Sequence, residues 1–352
     1  MTDGLERLAE LGWSIHFAAQ LDERDRATLL PARVLAVHRS NLEVAAPGFE
    51  GRVPPLLHTD SDEGQATVGD FVLLDAANRL PRRLLVRKSL FKRKAAGTGR
   101  RVQLIAANVD TLLIVTSCNR DFNVARLERY LALARDAGVM PLVVLTKADL
   151  VDDIQTYVAA ASRLLPGLVV ECLDARDTGA VSRLTEWCGP GQTVALVGSS
   201  GVGKSTLVNT LIGEGRQSVA GIREDDARGR HTTSGRSMHR LGAGGWLIDT
   251  PGMRELRIAD VESGVADVFT DVTELAARCR FADCRHEAEP GCAVRAAIDA
   301  GALDPDRLER YRKLAAEDAR NSASLRERRA RERGFGRMSK SILKAKTHRW
   351  DR

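Results

Sequence analysis

Gly198-Ser199-Ser200-Gly201-Val202-Gly203-Lys204-Ser205 is a glycine-rich octapeptide ending in a lysine and a hydroxyl. Glycines let a backbone close around an anion with successive N–H groups pointing inward. The spacing G-x-x-x-x-G-K-[ST], continued by Thr206, suits the phosphates of a nucleotide. Lys204 would neutralise the β- and γ-phosphates, and Ser205 would offer its hydroxyl to Mg2+. Downstream, Asp249 opens D-T-P-G at the end of an apolar run. An aspartate there suits a water-bridged Mg2+, and the N–H of Gly252 suits the γ-phosphate. Alone, D-T-P-G is a turn signal; about forty-five residues after a phosphate loop it reads as a second nucleotide-sensing switch. Between the two lies ARGRHTTSGR, where Thr233, with Thr232 as the close alternative, would complete the magnesium shell.

The phosphate loop does not choose a base. Thr146-Lys147-Ala148-Asp149 does, because a carboxylate at Asp149 can accept from guanine N1–H and N2–H2 together. Adenine lacks both donors and would leave that carboxylate unpaired. The stem of Lys147 can pack along the base plane. DARDTG, residues 174 to 179, ends the next apolar run and suits a backbone contact to the guanine oxygen around Ala175.

A second chemistry lies near the C-terminus. Cys279-x4-Cys284-x-His286-x5-Cys292 places three thiols and an imidazole within fourteen residues. Soft S and N donors in that number suit one tetrahedral Zn2+, and a closed set of four implies a structural site with no position left for water. Cys118, Cys172 and Cys188 are scattered and read as buried or inert.

These residues need elements to hold them. A chain of 352 residues with a 43 % apolar fraction is a folded protein of two or three domains. Residues 1–30 read as a helical or irregular lead-in. From 31 to 100 come ARVLAVHR, NLEVAA, GRVPPLL, VGDFVLLD and RRLLVRKSLF, short strands punctuated by Gly, Pro and Asn. They fit a small β-barrel of the oligonucleotide-binding (OB) type, or any small β-domain. From 101 to 262 buried runs such as VDTLLIVTS alternate with amphipathic segments, as a parallel-rich α/β sheet requires. In NVARLERYLALARDAG, Asn123 is placed to cap a helix, Leu127, Leu131 and Ala134 share a face, and Gly138 stops it. From 263 to 352 the chain is helical and cysteine-rich, then strongly basic.

The net charge of +6 is uneven. Residues 320–352 carry twelve Lys/Arg and three Asp/Glu, so the rest of the chain sums to −3. A second block, residues 81–101, has nine Lys/Arg and no acid. Basic blocks against a neutral-to-acidic body suggest a polyanion, most often nucleic acid, although each alone reads equally as a solvated face. Aromatics at 4 % leave little for base stacking, so phosphate contacts would dominate and binding would be salt-sensitive. No apolar run approaches a membrane span and the first residues lack a signal-peptide layout, so no membrane association and a cytoplasmic location are expected.

TKAD precedes the phosphate loop, reversing the usual order of guanine-nucleotide switches. With IAANVDTLLIVTS, TKADL, GSSGVGKSTLVN, GRHTT and DTPGMRE in this order, the chain resembles the circularly permuted GTPases, and more narrowly the ribosome small-subunit-dependent GTPase A family. The resemblance extends over nearly the whole chain, since that family also has an N-terminal β-barrel and a C-terminal Cys/His segment of this spacing. It implies a monomeric GTP hydrolase that cycles between GTP and GDP with Mg2+ and one structural Zn2+. It further implies action in late maturation of the small ribosomal subunit through rRNA contacts, with hydrolysis stimulated by the subunit and coupled to release. Two positions depart from the common pattern. Thr146 stands where the base-reading motif usually has Asn, and its short side chain cannot copy an amide's two-ended bridge. Met253 follows D-T-P-G where Ras-like switches place a water-positioning glutamine, so unaided hydrolysis should be slow. The ribosomal partner or His231 would then align the attacking water; His231 reads equally as a solvent-facing loop histidine. Two rival readings are a non-catalytic, nucleotide-stabilised RNA-binding scaffold and a P-loop ATPase acting on nucleic acid. Intact Lys204, Ser205 and Asp249 speak against the first and Asp149 against the second.

Overall fold

The structure is a computed structural model, described over residues 2–56, 62–94, 102–213, 236–249 and 261–321. His231, Thr232, Thr233, Gly252, Met253 and the basic tail from residue 322 lie outside the described residues, as does the side chain of Asp249. Thirteen strands are described: β1 Leu29–Val37, β2 Leu42–Ala46, β3 Phe49–Val53, β4 Phe71–Asp75, β5 Pro81–Leu84, β6 Leu90–Lys94 and β7 Val102–Ala107 in the first part. They continue with β8 Thr111–Ser117, β9 Met140–Thr146, β10 Val169–Cys172, β11 Thr193–Val197, β12 Arg236–Arg240 and β13 Trp246–Asp249.

Residues Met1–Arg257 form one compact unit. Its α/β half runs β10-β9-β8-β11-β13-β12, parallel throughout except for the antiparallel β12. Every residue of β8 is buried, as an apolar run covered on both faces requires. Helices follow β8, β9, β10 and β11. The helix Val124–Asp136 begins at Asn123, whose side chain accepts from the N–H of Arg126 at 2.9 Å, and Gly138 takes φ +70° just past its end. Its buried face includes Leu127, Leu131 and Ala134. Leu207, Val208, Leu211 and Ile212 of the helix Lys204–Ile212 pack with Leu113, Val115, Val144 and Leu247 from the strands.

The strands from Leu29 to Leu84 build an antiparallel ladder in the order β3-β2-β1-β4-β5 around Val34, Val44, Val53, Val72 and Leu74. Closure into a barrel would bring β3 to β5, and no such pairing occurs among the described residues. The run RRLLVRKSLF divides into β5 and β6, with Arg87 between them turned inward to Asp70. The β6–β7 ribbon stands apart as a two-stranded sheet. β1 also pairs with β12, through Ala36–Ser237 and Val37–Arg236, so the two halves share one eleven-stranded sheet.

The lead-in is helical at Thr2–Glu10, Ile15–Ala18 and Glu23–Thr28, the last with a reciprocal Asp22/Asp25 capping box. It is anchored to both halves. The indole of Trp246 donates to the Glu10 carbonyl at 2.8 Å, and Arg240 meets the Glu10 carboxylate at 3.0 Å. Arg33, 1 % exposed, donates to Leu11 O at 2.8 Å, Asn108 O at 3.2 Å and Thr193 Oγ1 at 3.2 Å, with its guanidinium 4.8 Å from the Phe71 ring. Burial pulls its pKa down to about 10, opposed by Asp110 and Asp70. Gly12 sits against this group at φ +87°: a Cβ there would lie 2.6 Å from the Arg33 guanidinium.

Residues from Ile258 form a second unit. Helices Glu262–Val268, Thr270–Ala276 and Ala293–Asp299 and a helical stretch over 305–321 enclose Val268, Phe269, Val272 and Val294. Arg307 fastens them, with its guanidinium 4.3 Å from the Phe269 ring, Nη2 2.7 Å from Val268 O and Nε 3.1 Å from Asp271 Oδ2. Among the described residues no helix is long and apolar enough to cross a membrane.

Candidate nucleotide-binding and metal sites

In a parallel sheet, ligands collect at the carboxyl ends of the strands. Here β11 ends into the phosphate loop, β9 into Thr146–Asp149, β10 into Asp174–Arg176 and β13 at Asp249, all on one edge of one sheet. The segment Thr146–Asp149, expected to read the base, is therefore two strands from the glycine-rich loop, although it precedes that loop by some fifty residues in the chain.

The loop has the backbone that its glycines allow. Gly198, Gly201 and Gly203 take φ of +146°, +78° and +93°. At Gly198 a side chain has no room, since a Cβ would lie 2.2 Å from the carbonyl of Val115 on β8. Val202 is buried, while Ser200, Gly201 and Thr206 are exposed and Ser199, Lys204 and Ser205 half-buried. Lys204 and Ser205 open the following helix, so its unpaired N–H groups face the same space. The Lys204 ammonium donates back to the Ser199 carbonyl, which holds it across the mouth of the loop.

Thr146 is 1 % exposed, and its hydroxyl lies 2.5 Å from Val202 O and 3.2 Å from Thr116 O. Thr146, where the sequence pattern usually has asparagine, thus ties the end of β9 to the glycine-rich loop. Lys147 then takes left-handed φ +57°, ψ 33°, which turns β9 into the short 3-10 turn Ala148–Leu150. For a non-glycine residue that conformation costs on the order of 1 kcal/mol. Asp149 emerges from the turn with its carboxylate partly exposed. On the neighbouring loop Ala175 is buried, and its carbonyl accepts from Thr210 Oγ1 of the phosphate-loop helix at 2.7 Å.

Two arginines at this edge escaped the sequence reading. Arg126, in the first turn of Val124–Asp136, donates to the Ser199 hydroxyl. Arg176 donates from Nη2 to Asp149 Oδ2 at 2.8 Å while its Nε and Nη2 hold Asp174. The signal for the second was present: DARDTG places a cation beside Ala175, and β10 neighbours β9.

In the second unit the four donor atoms of Cys279, Cys284, His286 and Cys292 lie within 4.8 Å of one another. Cys279 Sγ is 3.9 Å from Cys292 Sγ, and His286 Nδ1 is 3.6 and 3.5 Å from Cys279 and Cys292. A tetrahedron with Zn–S and Zn–N bonds of about 2.3 and 2.05 Å has edges of roughly 3.8 and 3.6 Å. The set fits Zn2+. Burial works against thiolates in this set and pushes Cys284 up to about 11, whereas at Cys279 the N–H groups of Val294 and Ala293, together with Cys292 and Cys284, outweigh burial and hold the pKa below the ordinary value. Burial, then the nearby Arg312, lowers the pKa of His286 and favours the neutral, ligating ring. Cys292 also caps Ala293–Asp299, its sulfur 3.4 Å from Arg295 N. The His286 loop is gathered by Glu289, which accepts from the N–H groups of Arg285, Glu287 and Ala288 and has its pKa drawn down to about 2, first by Arg285.

The block 81–94 is less available to a polyanion than its composition suggests. Arg82, Arg83, Arg87, Lys88 and Lys92 each meet a carboxylate, of Asp75, Asp25, Asp70, Asp110 and Glu63 respectively. In the second unit Arg278, Arg280, Arg285 and Arg295 are exposed around the cysteine cluster, with Phe281 41 % exposed beside them.

Among curated relatives, the chain is 52 % identical to the small ribosomal subunit biogenesis GTPase RsgA of Mesorhizobium japonicum, over 90 % of this chain and 91 % of that protein. It is 50 % identical to RsgA 2 of Vibrio parahaemolyticus, over 97 % and 94 %. Two solved structures share the fold at a TM-score of 0.60: YjeQ of Thermotoga maritima, 24 % identical, covering 81 % of this chain and 97 % of that one, and YloQ, described as a circularly permuted GTPase, 22 % identical, covering 84 % and 97 %. A family model described as RsgA GTPase matches residues 84–259, from the end of β5 past D-T-P-G. With that match over half its length and relatives of about 50 % identity along nearly all of it, the chain belongs to the RsgA GTPases, and it is a GTP hydrolase with a circularly permuted core.

Proposed function

We propose that this GTPase acts in biogenesis of the small ribosomal subunit, binding the subunit through rRNA, hydrolysing GTP faster in its presence and leaving it after hydrolysis. The observation that carries the reading is the meeting of Thr146–Asp149 and Gly198–Thr206 at one sheet edge, in a chain whose relatives are named for that process.

Asp149 selects guanine through two hydrogen bonds, Lys147 lies along the base, and the Ala175 amide receives the guanine oxygen. The N–H groups of Gly198 to Thr206 hold the α- and β-phosphates, and Lys204 turns from Ser199 to the β- and γ-phosphates. Mg2+, when bound, spreads the charge that develops on the leaving phosphate oxygens. Ser205, Asp249 and Thr233 are the residues that would hold it, and the Gly252 N–H would report the γ-phosphate. Met253 cannot orient water, so His231 or the ribosomal partner takes that role.

Chain order supports a route from nucleotide to partner. The first-switch segment leads directly into β12, and β13 leads through the second switch into the cysteine-bearing unit. Loss of the γ-phosphate would release both segments. The exposed arginines of that unit and the basic tail supply the phosphate contacts, so the site of action is where small subunits are assembled. The protein works as a monomer.

The test is GTP turnover by the purified protein with and without small subunits. A several-fold or greater stimulation is expected; a flat response would remove the assembly role while leaving the GTPase intact. Stimulated turnover that is unchanged in His231→Ala would assign the water to the partner.

A further inference from the structure

Asp149 faces a cation before it faces a base. Arg176 Nη2 lies 2.8 Å from Asp149 Oδ2 and 2.9 Å from Asp174 Oδ2, and its Nε lies 3.0 Å from Asp174 Oδ1. The Asp174 carboxylate also accepts from the Arg176 N–H at 2.9 Å, so the arginine is anchored to its own loop and leans one nitrogen across to the base-reading turn. Two features make that lean significant. Guanine's N1–C2–N2 edge is itself a guanidine fragment, so it offers a carboxylate the kind of N–H donor that Arg176 already supplies. The arginine side chain is 69 % exposed and that of Asp149 32 %, so an incoming base can reach the pair. The loop that carries Arg176 is meanwhile fixed to the phosphate-loop helix through Thr210 and Ala175 O.

We infer that Arg176 is an intramolecular occupant of the guanine-edge site, which the nucleotide base must displace from Asp149 while the arginine stays on Asp174. This deepens the proposed reading and rests on Asp149 being the guanine reader. The device lowers affinity for GDP and GTP alike, because it acts at the base, away from the γ-phosphate. It also refills the site when nucleotide leaves, so a vacated Asp149 is not left as an unpaired carboxylate. Adenine offers no donor pair to replace the guanidinium and does not displace it. Because an exposed ion pair is weak and screened by salt, the effect is small and largest at low ionic strength.

The experiment is titration and stopped-flow binding of N-methylanthraniloyl GDP and its GTP counterpart to the full chain, as wild type, Arg176→Ala and Arg176→Gln. Both variants should bind both nucleotides roughly two- to fivefold tighter at low salt, through faster association, with the gain shrinking at high salt. Unchanged or weaker binding would overturn the inference, weaker binding meaning that the arginine supports the base. Competition with unlabelled ATP separates the two levels. ATP competing as well as GTP against the wild type would remove Asp149 as guanine reader, whatever Arg176 does.

Discussion

The hydroxyl of Thr146 and the carbonyl of Val202 lie 2.5 Å apart, joining the end of β9 to the middle of the phosphate loop. A threonine can make this bond because the site is narrow: Thr146 is buried, and a Cβ on Gly203 would fall 3.5 Å from its hydroxyl oxygen. The short side chain at Thr146, unable to copy an amide's two-ended bridge, is a brace from the end of β9 to the glycine-rich loop.

Removing that brace should be felt at both ends. Thr146→Val keeps the shape and deletes the hydroxyl, at a cost of about 1 kcal/mol in stability. Urea unfolding should show that loss, and guanine nucleotide affinity should fall with it because the loop is less preorganised. Thr146→Ser should retain most of both.

Base choice should follow Asp149. In Asp149→Asn the side chain gains a donor, which suits xanthine, whose second oxygen replaces the amino group of guanine. Two charge-assisted bonds to guanine are lost, so GTP affinity should drop on the order of a hundredfold. Xanthosine triphosphate should become the preferred substrate in a competition turnover assay.

The cysteine cluster should hold one zinc per chain, measured by elemental analysis of the purified protein. Cys284→Ser should lose it. Since metal binding supplies folding energy to so small a unit, limited proteolysis should then cut within residues 261–321 and spare the sheet. Retained resistance in the metal-free variant would show that the Val268–Phe269–Val294 core suffices.

Arg87 and Asp70 give a test of stability with a defined pH dependence. Both Asp70 oxygens meet Arg87, at 2.7 and 2.8 Å, in a buried setting. Burial raises the Asp70 pKa, and Arg87 opposes that rise. Arg87→Ala leaves burial unopposed, raises the carboxyl further and should cost roughly 3–5 kcal/mol where the group is ionised. Protonation relieves the charge, so the deficit relative to wild type should be full above the variant's raised pKa. It should close as pH falls towards the ordinary carboxylate range. Urea unfolding over a pH series measures it.

What the sequence made legible was what local spacing encodes. The phosphate loop, the Asn123 cap, the buried β8 run and the order of motifs each depend on a few adjacent residues, and so does the Cys/His set. What it hid was pairing across distance. Arg33 reads as an ordinary alternate residue of a strand, yet it holds Leu11, Asn108 and Thr193 together. The two-residue register of β1 on β12 has no local signature. The block 81–94 showed its charge in composition, but its carboxylate partners come from as far away as Asp25 and Asp110. Arg176 lies within DARDTG, but its hold on Asp149 exists only once β9 and β10 lie side by side.

Reordering the strands also reorders the birth of the site on the translating ribosome. β8, β9 and β10 are synthesised before β11, which pairs along the open edge of β8. A nascent chain therefore has the Ala148–Leu150 turn while the strand position beyond β8 is still empty, and β13 and Asp249 come later still. Until β11 arrives, the exposed backbone of β8 is the surface most in need of protection from misplaced strands.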